Sequence, residues 1–412
     1  RFDQEYSDAT VIKLEQNYRS TKNILNAANE VISHNTGRHE KSLWTDADEG
    51  VRITLKKTED QIAEARAVVD TVHRMIEESG GKRSYRDFAI LYRINAQSSN
   101  MEYALRKSGM PYRLVCGTRF NDRKEIRDAA AYFQLITNHA DRERLLRIIN
   151  EPRRKIGDKT LEAVEAIAVE QQCGIFEVLQ QANRYVALSR SATALMNFAS
   201  LIEELTELSK TVSLETLINE TLDRSGYRQM IIDAGREEAD RLENLDEFKS
   251  NVVEYCRTAE EPTLTGFLEE NALVADVDRY DDTADAVVMM TMHAAKGLEF
   301  PHVFLVGFED GLFPGMRAIG DREEMEEERR LCYVAITRAK KNLTITHARQ
   351  RMLYGRTNAA MASRFLKEIP EDGIVRKGGY QNAYTQRPYS MTEQPRKPAF
   401  SDPSFGYKPA AK

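Results

Sequence analysis

The sequence predicts an α/β fold, a parallel sheet covered by helices and interrupted by a mostly helical insertion domain. Three observations carry this. Residues 1–119 alternate β-prone and helix-prone runs, residues 120–282 hold helical patterns with no convincing strand, and β-prone runs return over 283–372. Alternating strands and helices favour a parallel sheet with both faces covered. An insertion of about 160 residues is an ordinary domain size.

Taken in order, "TVIKL" (10–14) is a short β-rich run, and "TKNILNAANEVIS" (21–33) spaces Ile24, Leu25, Val31 and Ile32 as one helix face. A strand at "VRITLK", a helix near 60–78, a strand at "FAILYR", a helix near 97–107 and a strand at "YRLVCG" follow. The insertion contains "KEIRDAAAYFQLI", "KTLEAVEAIAVEQQ", "ATALMNFASLIEELTELSK" and "DRLENLDEFKSNVVEY", all with helical periodicity. The sheet resumes at "AVVMMTM" (286–292), "HVFLVG" (302–307) and "NLTITH" (342–347), with a charged helix near 323–336. Five of the eleven prolines fall in 388–412, so residues 373–412 read as a flexible basic tail or linker.

Composition narrows the function. Hydrophobic content of 41% and charged content of 30% describe a globular chain, and 412 residues suffice for two or three domains. A net charge of −6 argues against a uniformly basic coat but permits a local basic groove. No apolar run approaches the roughly 20 residues that span a bilayer, so no membrane partner is expected. Cys116, Cys173, Cys256 and Cys332 form no C-x-x-C pair, which disfavours a disulfide framework or zinc site and suits a reducing cytoplasm. No metal site is expected from the histidines either. The opening RFDQEYSDAT has no initiator Met, and the chain reads as a fragment of something longer.

One absence directs the search for chemistry. A phosphate-binding P-loop needs G-x-x-x-x-G-K-[ST], with glycines that expose backbone N–H groups and a hydroxyl for Mg²⁺. Gly81-Lys82 is followed by Arg83, and Ile76 stands where the first glycine belongs. Unaided nucleotide hydrolysis is therefore not expected. Arginines do stand beside strand ends. "LEQNYRS" (14–20) places Tyr18 and Arg19 between the first strand and a helix, and ligands of open α/β sheets bind outside the strands' carboxyl ends. "ERRLCYVAITRAKK" (328–341) presents Arg338, either as a surface helix charge or as a finger directed at phosphate. In "TMHAAKGLEF" (291–300) a strand ends at His293, Lys296-Gly297 makes a turn and Glu299 follows. That is either a plain strand–turn–helix junction or a turn that meets a phosphate and a ribose.

Together "NYRS", "ILYRINAQS", "TMHAAKGLEFPHVFLVGFEDGLFP" and "EEERRLCYVAITRAKKNL" resemble motifs IV to VI of UvrD/PcrA-like superfamily 1 ATP-dependent DNA helicases, and the PcrA type most closely. The resemblance runs from about residue 10 to 370. It implies a RecA-like, P-loop NTPase-type sheet domain lacking its own P-loop (2A, residues 1–119 and 283–372) and a mobile helical domain (2B, residues 120–282). An amino-terminal RecA-like domain would supply the P-loop and hold the Mg²⁺ of ATP. By this resemblance Tyr18 stacks on adenine, Arg19 and the finger Arg338 contact the γ-phosphate, and Glu299 bonds the ribose, beside Lys296 and Gly297. Arg93, Asn95 and His293 would contact single-stranded DNA. "EPRRKIGDKTLEAV" (151–164) is similar to a hairpin that grips duplex phosphates, which implicates Arg153, Arg154, Lys155 and Gly157. Lys155 replaces a glycine favoured there. The implied function is 3′→5′ translocation on single strands and unwinding at single/double-strand junctions in repair and replication. It would be cytoplasmic and nucleoid-associated. RNA polymerase or repair proteins are the protein partners the resemblance allows. The alternatives are a non-enzymatic DNA- or RNA-polymerase-interacting module, and a Rep- or RecB-type branch of the family.

Overall fold

The structure, a computed structural model, describes residues 15–377 apart from 37–42, 116, 236–237, 277–284 and 354. The strand expected at 10–14 and most of the expected tail lie outside the described residues. Nine strands are present among those residues: β1 (Ile53–Thr58), β2 (Phe88–Tyr92), β3 (Tyr112–Leu114), β4 (Val287–Thr291), β5 (Phe300–Leu305), β6 (Ala339–Ala348), β7 (Gln350–Leu353), β8 (Arg356–Ala359) and β9 (Ile374–Lys377). Seven form one sheet in the order β3-β4-β2-β5-β6-β1-β9, and every neighbouring pair is parallel. The other two, β7 and β8, form an antiparallel hairpin.

Burial explains the order. In β2 every residue is buried, as a central strand covered on both faces requires. Its side chains alternate between two apolar clusters. Ala89 and Leu91 join helices α1 (Lys22–Ser33) and, late in the chain, α13 (Arg322–Ile336). Phe88, Ile90 and Tyr92 join helices α2 (Gln61–Glu78) and α3 (Ser98–Lys107) on the other face. The α2 start is fixed by Asp60, whose carboxylate accepts from the N–H groups of Ile62 and Ala63 at 3.1 and 2.8 Å, a cap worth about 1 kcal/mol. Asp321 caps α13 in the same way through Glu324 N–H at 3.0 Å. The two sheet edges, β3 and β9, are short, which limits unpaired backbone. Because β9 pairs with β1, the sheet continues to Lys377, and the tail expected from 373 starts at least five residues too early.

Between β3 and β4 come α4 (Lys124–Thr137), α5 (Arg142–Ile148), α6 (Asp158–Gln171), α7 (Ile175–Gln180), α8 (Ala192–Ser209), α9 (Leu214–Arg224), α10 (Tyr227–Asp233), α11 (Ala239–Thr258) and α12 (Leu264–Asp276). They bury a third apolar cluster built wholly from residues 120–267. By contrast, polar bonds fasten the helices to the sheet layer. Arg123, the residue before α4, donates to Ser98 Oγ of α3 at 2.8 Å and to the Asn95 carbonyl at 3.1 Å. Asn251 donates to Ser99 of α3 at 2.9 Å, and the described residues fall in one compact unit. No described helix is long and apolar enough to cross a membrane.

Candidate functional site

The β4–β5 connection decides where the candidate residues go. These strands are parallel with β2 between them, so residues 292–299 return the chain from the carboxyl edge of the sheet to its amino edge. Past the five residues of β2 that is on the order of 16 Å. His293 leaves from the carboxyl edge and Glu299 arrives at the amino edge. Gly297 stands at φ +90° in this crossover, a conformation that disfavours any residue with a Cβ. Lys296 beside it is exposed.

At the amino edge, Glu299 meets two cations. Lys340 Nζ lies 2.6 Å from one carboxylate oxygen and the Arg19 guanidinium bonds the other. These partners, Lys340 foremost, hold the Glu299 carboxyl down at a pKa of about 2. Arg19 is brought there by its neighbours: Ser20 Oγ donates to the Ala339 carbonyl at 2.7 Å, and Thr21 N–H to the Lys340 carbonyl at 3.2 Å. Arg338 occupies the junction of α13 and β6. Its guanidinium donates to the carbonyls of Val334 and Leu298, each at 2.9 Å, and to Thr337 Oγ1 at 3.0 Å. Those bonds use three of five N–H donors. Burial, then the Arg19 charge, lowers the Arg338 pKa. Tyr18 is 85% exposed, with its hydroxyl donating to Gln16 Oε1 at 2.5 Å.

Two cations therefore bond one carboxylate, with Arg338 held on the neighbouring Leu298 carbonyl and an open aromatic ring beside Arg19. That arrangement fits an anionic ligand bearing a flat base. It does not fit Mg²⁺, because the one carboxylate is already neutralised by two cations. Arg338, Glu299 and the Arg19 segment all attach at the amino ends of β5 and β6; the strand at 10–14, past which Tyr18 and Arg19 were expected, lies outside the described residues. Sequence reasoning missed Lys340, whose only signal was its place two residues after Arg338.

At the carboxyl edge, Arg93 follows β2 and forks onto Glu328 of α13, with Nη2 and Nε at 2.7 and 3.1 Å from Oε1. The other oxygen of Glu328 accepts from Gly315 N–H at 3.2 Å. His293 belongs to the same group. Burial and the Arg93 charge lower its pKa, while Glu328 and Glu327 oppose them. Asn95 Nδ2 donates to Asp240 of α11 at 3.3 Å, and its carbonyl accepts from Arg123 at 3.1 Å. The structure thus brings Arg93, Asn95 and His293 together on one edge, with Glu328 as the partner that sequence reasoning missed.

The basic loop before α6 divides. Arg153 and Lys155 are exposed. Arg154 faces inward: its guanidinium donates to the carbonyls of Ile148, Ile149, Pro152 and Ser225 at 3.0–3.3 Å and to the Tyr132 hydroxyl at 2.8 Å. It also lies 5.1 Å from the Phe198 ring centroid. The expected DNA contact by Arg154 is corrected on this ground, since its donors are spent on the helical core. Lys155 takes φ +61°, so the backbone keeps a glycine-like turn despite the side chain. Gly157 is the N-cap of α6 and provides no side-chain acceptor, which leaves first-turn N–H groups for other acceptors.

Known proteins resemble this chain over most of its length. The family described as the UvrD-like helicase C-terminal domain matches residues 12–350. The ATP-dependent DNA helicase PcrA of Bacillus subtilis (strain 168) is 45% identical over 378 residues, 90% of this chain and 51% of that protein. The PcrA of Staphylococcus aureus (strain Mu50 / ATCC 700699) is 46% identical over 376 residues, with the same 90% and 51% coverage. The chain spans about half the length of these relatives. A solved C-terminal domain of a possible DNA helicase from a Lactobacillus strain, WCFS1, aligns over 87% of this chain and 98% of its own at 12% identity and a TM-score of 0.35. On the family match and the shared motifs, the chain belongs to the UvrD-like helicase C-terminal domain family.

Proposed function

We propose that this chain is the carboxyl-terminal half of an ATP-dependent DNA helicase that translocates 3′→5′ on single strands and unwinds duplex DNA. Residues 1–119 and 283–377 form its second RecA-like domain, and residues 120–282 its mobile insertion. The observation that carries the reading is the amino-edge cluster of Arg19, Glu299, Arg338 and Lys340 beside exposed Tyr18. It is half of a site. ATP supplies the phosphoryl group and charge that this half receives, and Mg²⁺ and the P-loop belong to an amino-terminal RecA-like domain.

Each residue then has a defined task. Tyr18 offers a face to the adenine, and Glu299, kept ionised by Lys340, accepts from the ribose hydroxyls. Arg19 and the two spare donors of Arg338 face the terminal phosphate, where such a finger is worth about 10³–10⁵ in rate. On the other edge Arg93, Asn95 and His293 meet the strand's phosphates. Arg153, Lys155 and the open start of α6 meet duplex phosphates.

The test uses the full-length protein that contains this chain. Arg338→Ala should abolish DNA-stimulated ATP hydrolysis while nucleotide affinity changes less than about tenfold. Undiminished hydrolysis removes the finger assignment. The chain by itself, lacking a P-loop motif, should show no turnover.

A further inference from the structure

We propose that Met316 and Met361 form an apolar platform on which unpaired bases of a single strand stack, with Arg317 holding the adjacent phosphate. This rests on the reading that DNA crosses the carboxyl edge, and it names the groups that meet the bases there. Arg93, Asn95 and His293 account for charge and hydrogen bonding, but none offers a broad apolar surface.

Met316 and Met361 are each 70% exposed, among the most solvated large apolar side chains of the described residues. They are neighbours through one loop. The Met361 carbonyl accepts from Asp310 N–H at 2.9 Å. The Met316 sulfur lies so close over Gly311 that a Cβ there would stand 2.9 Å from it. Gly311, at φ +94°, is the residue that admits this approach. The loop is also the one that meets Arg93: Gly315 N–H and the Arg93 guanidinium share the Glu328 carboxylate. Arg317 is exposed and takes no ion pair among the described residues. Burial raises the pKa of Glu243 on α11, and the charges of Arg93 and Arg317 both oppose that rise.

The support beneath the platform is stiff. Glu309, next to Asp310, is buried and bonds Arg351 through both oxygens at 2.7 Å and Ala348 N–H at 2.7 Å. Arg351 also bonds Glu64 at 2.6 Å, and Arg364 forks onto Asp310 at 3.0 and 3.2 Å. Two flexible thioethers on a rigid base suit a surface that must accept any base in turn. A thioether is polarizable, conforms to irregular shapes and makes favourable contacts with aromatic rings, all of which a sequence-tolerant contact needs.

The experiment measures binding of the whole chain to fluorescein-labelled oligo(dT) and to an abasic strand of the same length, by anisotropy across a salt series. The double substitution Met316→Ala/Met361→Ala should weaken oligo(dT) binding by about three- to tenfold and leave the abasic strand unaffected. Unchanged abasic binding also reports an intact fold. Met316→Leu/Met361→Leu, which keeps the apolar area, should retain most of the affinity. Arg317→Ala should weaken both strands and make the salt slope shallower by about 0.7. The platform is overturned if the alanine pair binds oligo(dT) as the unaltered chain does, or loses both strands equally. If Arg93→Ala weakens binding while the methionine pair does nothing, only this inference fails. If the unaltered chain binds neither strand, the DNA reading of this edge fails with it.

Discussion

Replacing Glu247 by Gln tests how the helical insertion is fastened to the sheet layer. Glu247 lies on α11 and is buried against α3, where its Oε1 accepts from Asn100 Nδ2 at 2.7 Å. Arg351 and Arg123 favour its ionised form, but burial outweighs them and pushes the carboxyl up from 4.5 to about 7. The folded protein therefore holds this proton more tightly than the unfolded chain does. The stability linked to it is complete below pH 4.5 and is lost as the pH rises through about 7.

A gap of about 2.5 pKa units at 1.36 kcal/mol per unit sets the loss at about 3 kcal/mol by pH 8. Glutamine keeps the shape and an oxygen for Asn100 but cannot ionise. Urea denaturation of both proteins should be followed from pH 4.5 to 8. Other titrating groups cancel in the difference between the two curves. That difference should move by about 3 kcal/mol in favour of the Gln variant as the pH rises. Once the intrinsic base-catalysed rise in exchange is divided out, protection along α11 should fall with pH in the unaltered chain alone. Parallel stability curves would refute the argument that an ionised carboxylate is being forced into this joint.

Three further outcomes follow from single positions. Lys155→Gly removes a side chain from φ +61°; after the added freedom of the unfolded chain, the net gain should be about 0.5–1 kcal/mol in urea denaturation. The same change should make the salt slope of duplex binding shallower by about 0.9. Arg154→Ala leaves the Ile149 and Ser225 carbonyls without their donor, so stability should fall by about 3 kcal/mol, and Lys should not restore it. With Lys340→Ala, the Glu299 carboxyl should titrate above about 2 and toward its ordinary 4.5, as read by carboxyl carbon NMR. The Glu299 ion-pair contribution, present above pH 4.5 and lost as the pH falls through about 2, should shrink accordingly.

The central sheet was legible because β2, β4 and β5 are buried on both faces and so read as continuous apolar runs. The hairpin was not. "QRML" and "RTNA" are short and polar, and β7 and β8 pair only with each other. Ile374–Lys377 looks like tail because three of its four residues are exposed on an edge strand. At the site, the motifs marked Arg19, Glu299 and Arg338, but their partners lie far away in sequence. Glu328 is 235 positions from Arg93, and no local pattern joins them. In "PRRK" the two arginines look alike on paper. Partners as distant as Tyr132 and Ser225, 22 and 71 positions from Arg154, help decide which one turns inward.

The 292–299 crossover joins the two edges of the sheet, so the residues proposed to face ATP and DNA sit close in sequence. Eight residues could reach farther than this crossing if extended, but the segment is wound and braced. Ala295 N–H bonds the Thr291 carbonyl at 3.2 Å, Lys296 N–H that of His293 at 3.3 Å, and Leu298 N–H that of Ala295 at 3.1 Å. A wound segment of this kind has little slack. A displacement of His293 at the carboxyl edge must be absorbed at Gly297, where the backbone is least restricted, or passed on to Leu298 and Glu299. Leu298 is the residue whose carbonyl holds Arg338 at 2.9 Å, and Glu299 is the one that holds Arg19 and Lys340. On the function proposed above, a strand that moved His293 would act on Arg19, Arg338 and Lys340 through this one crossover.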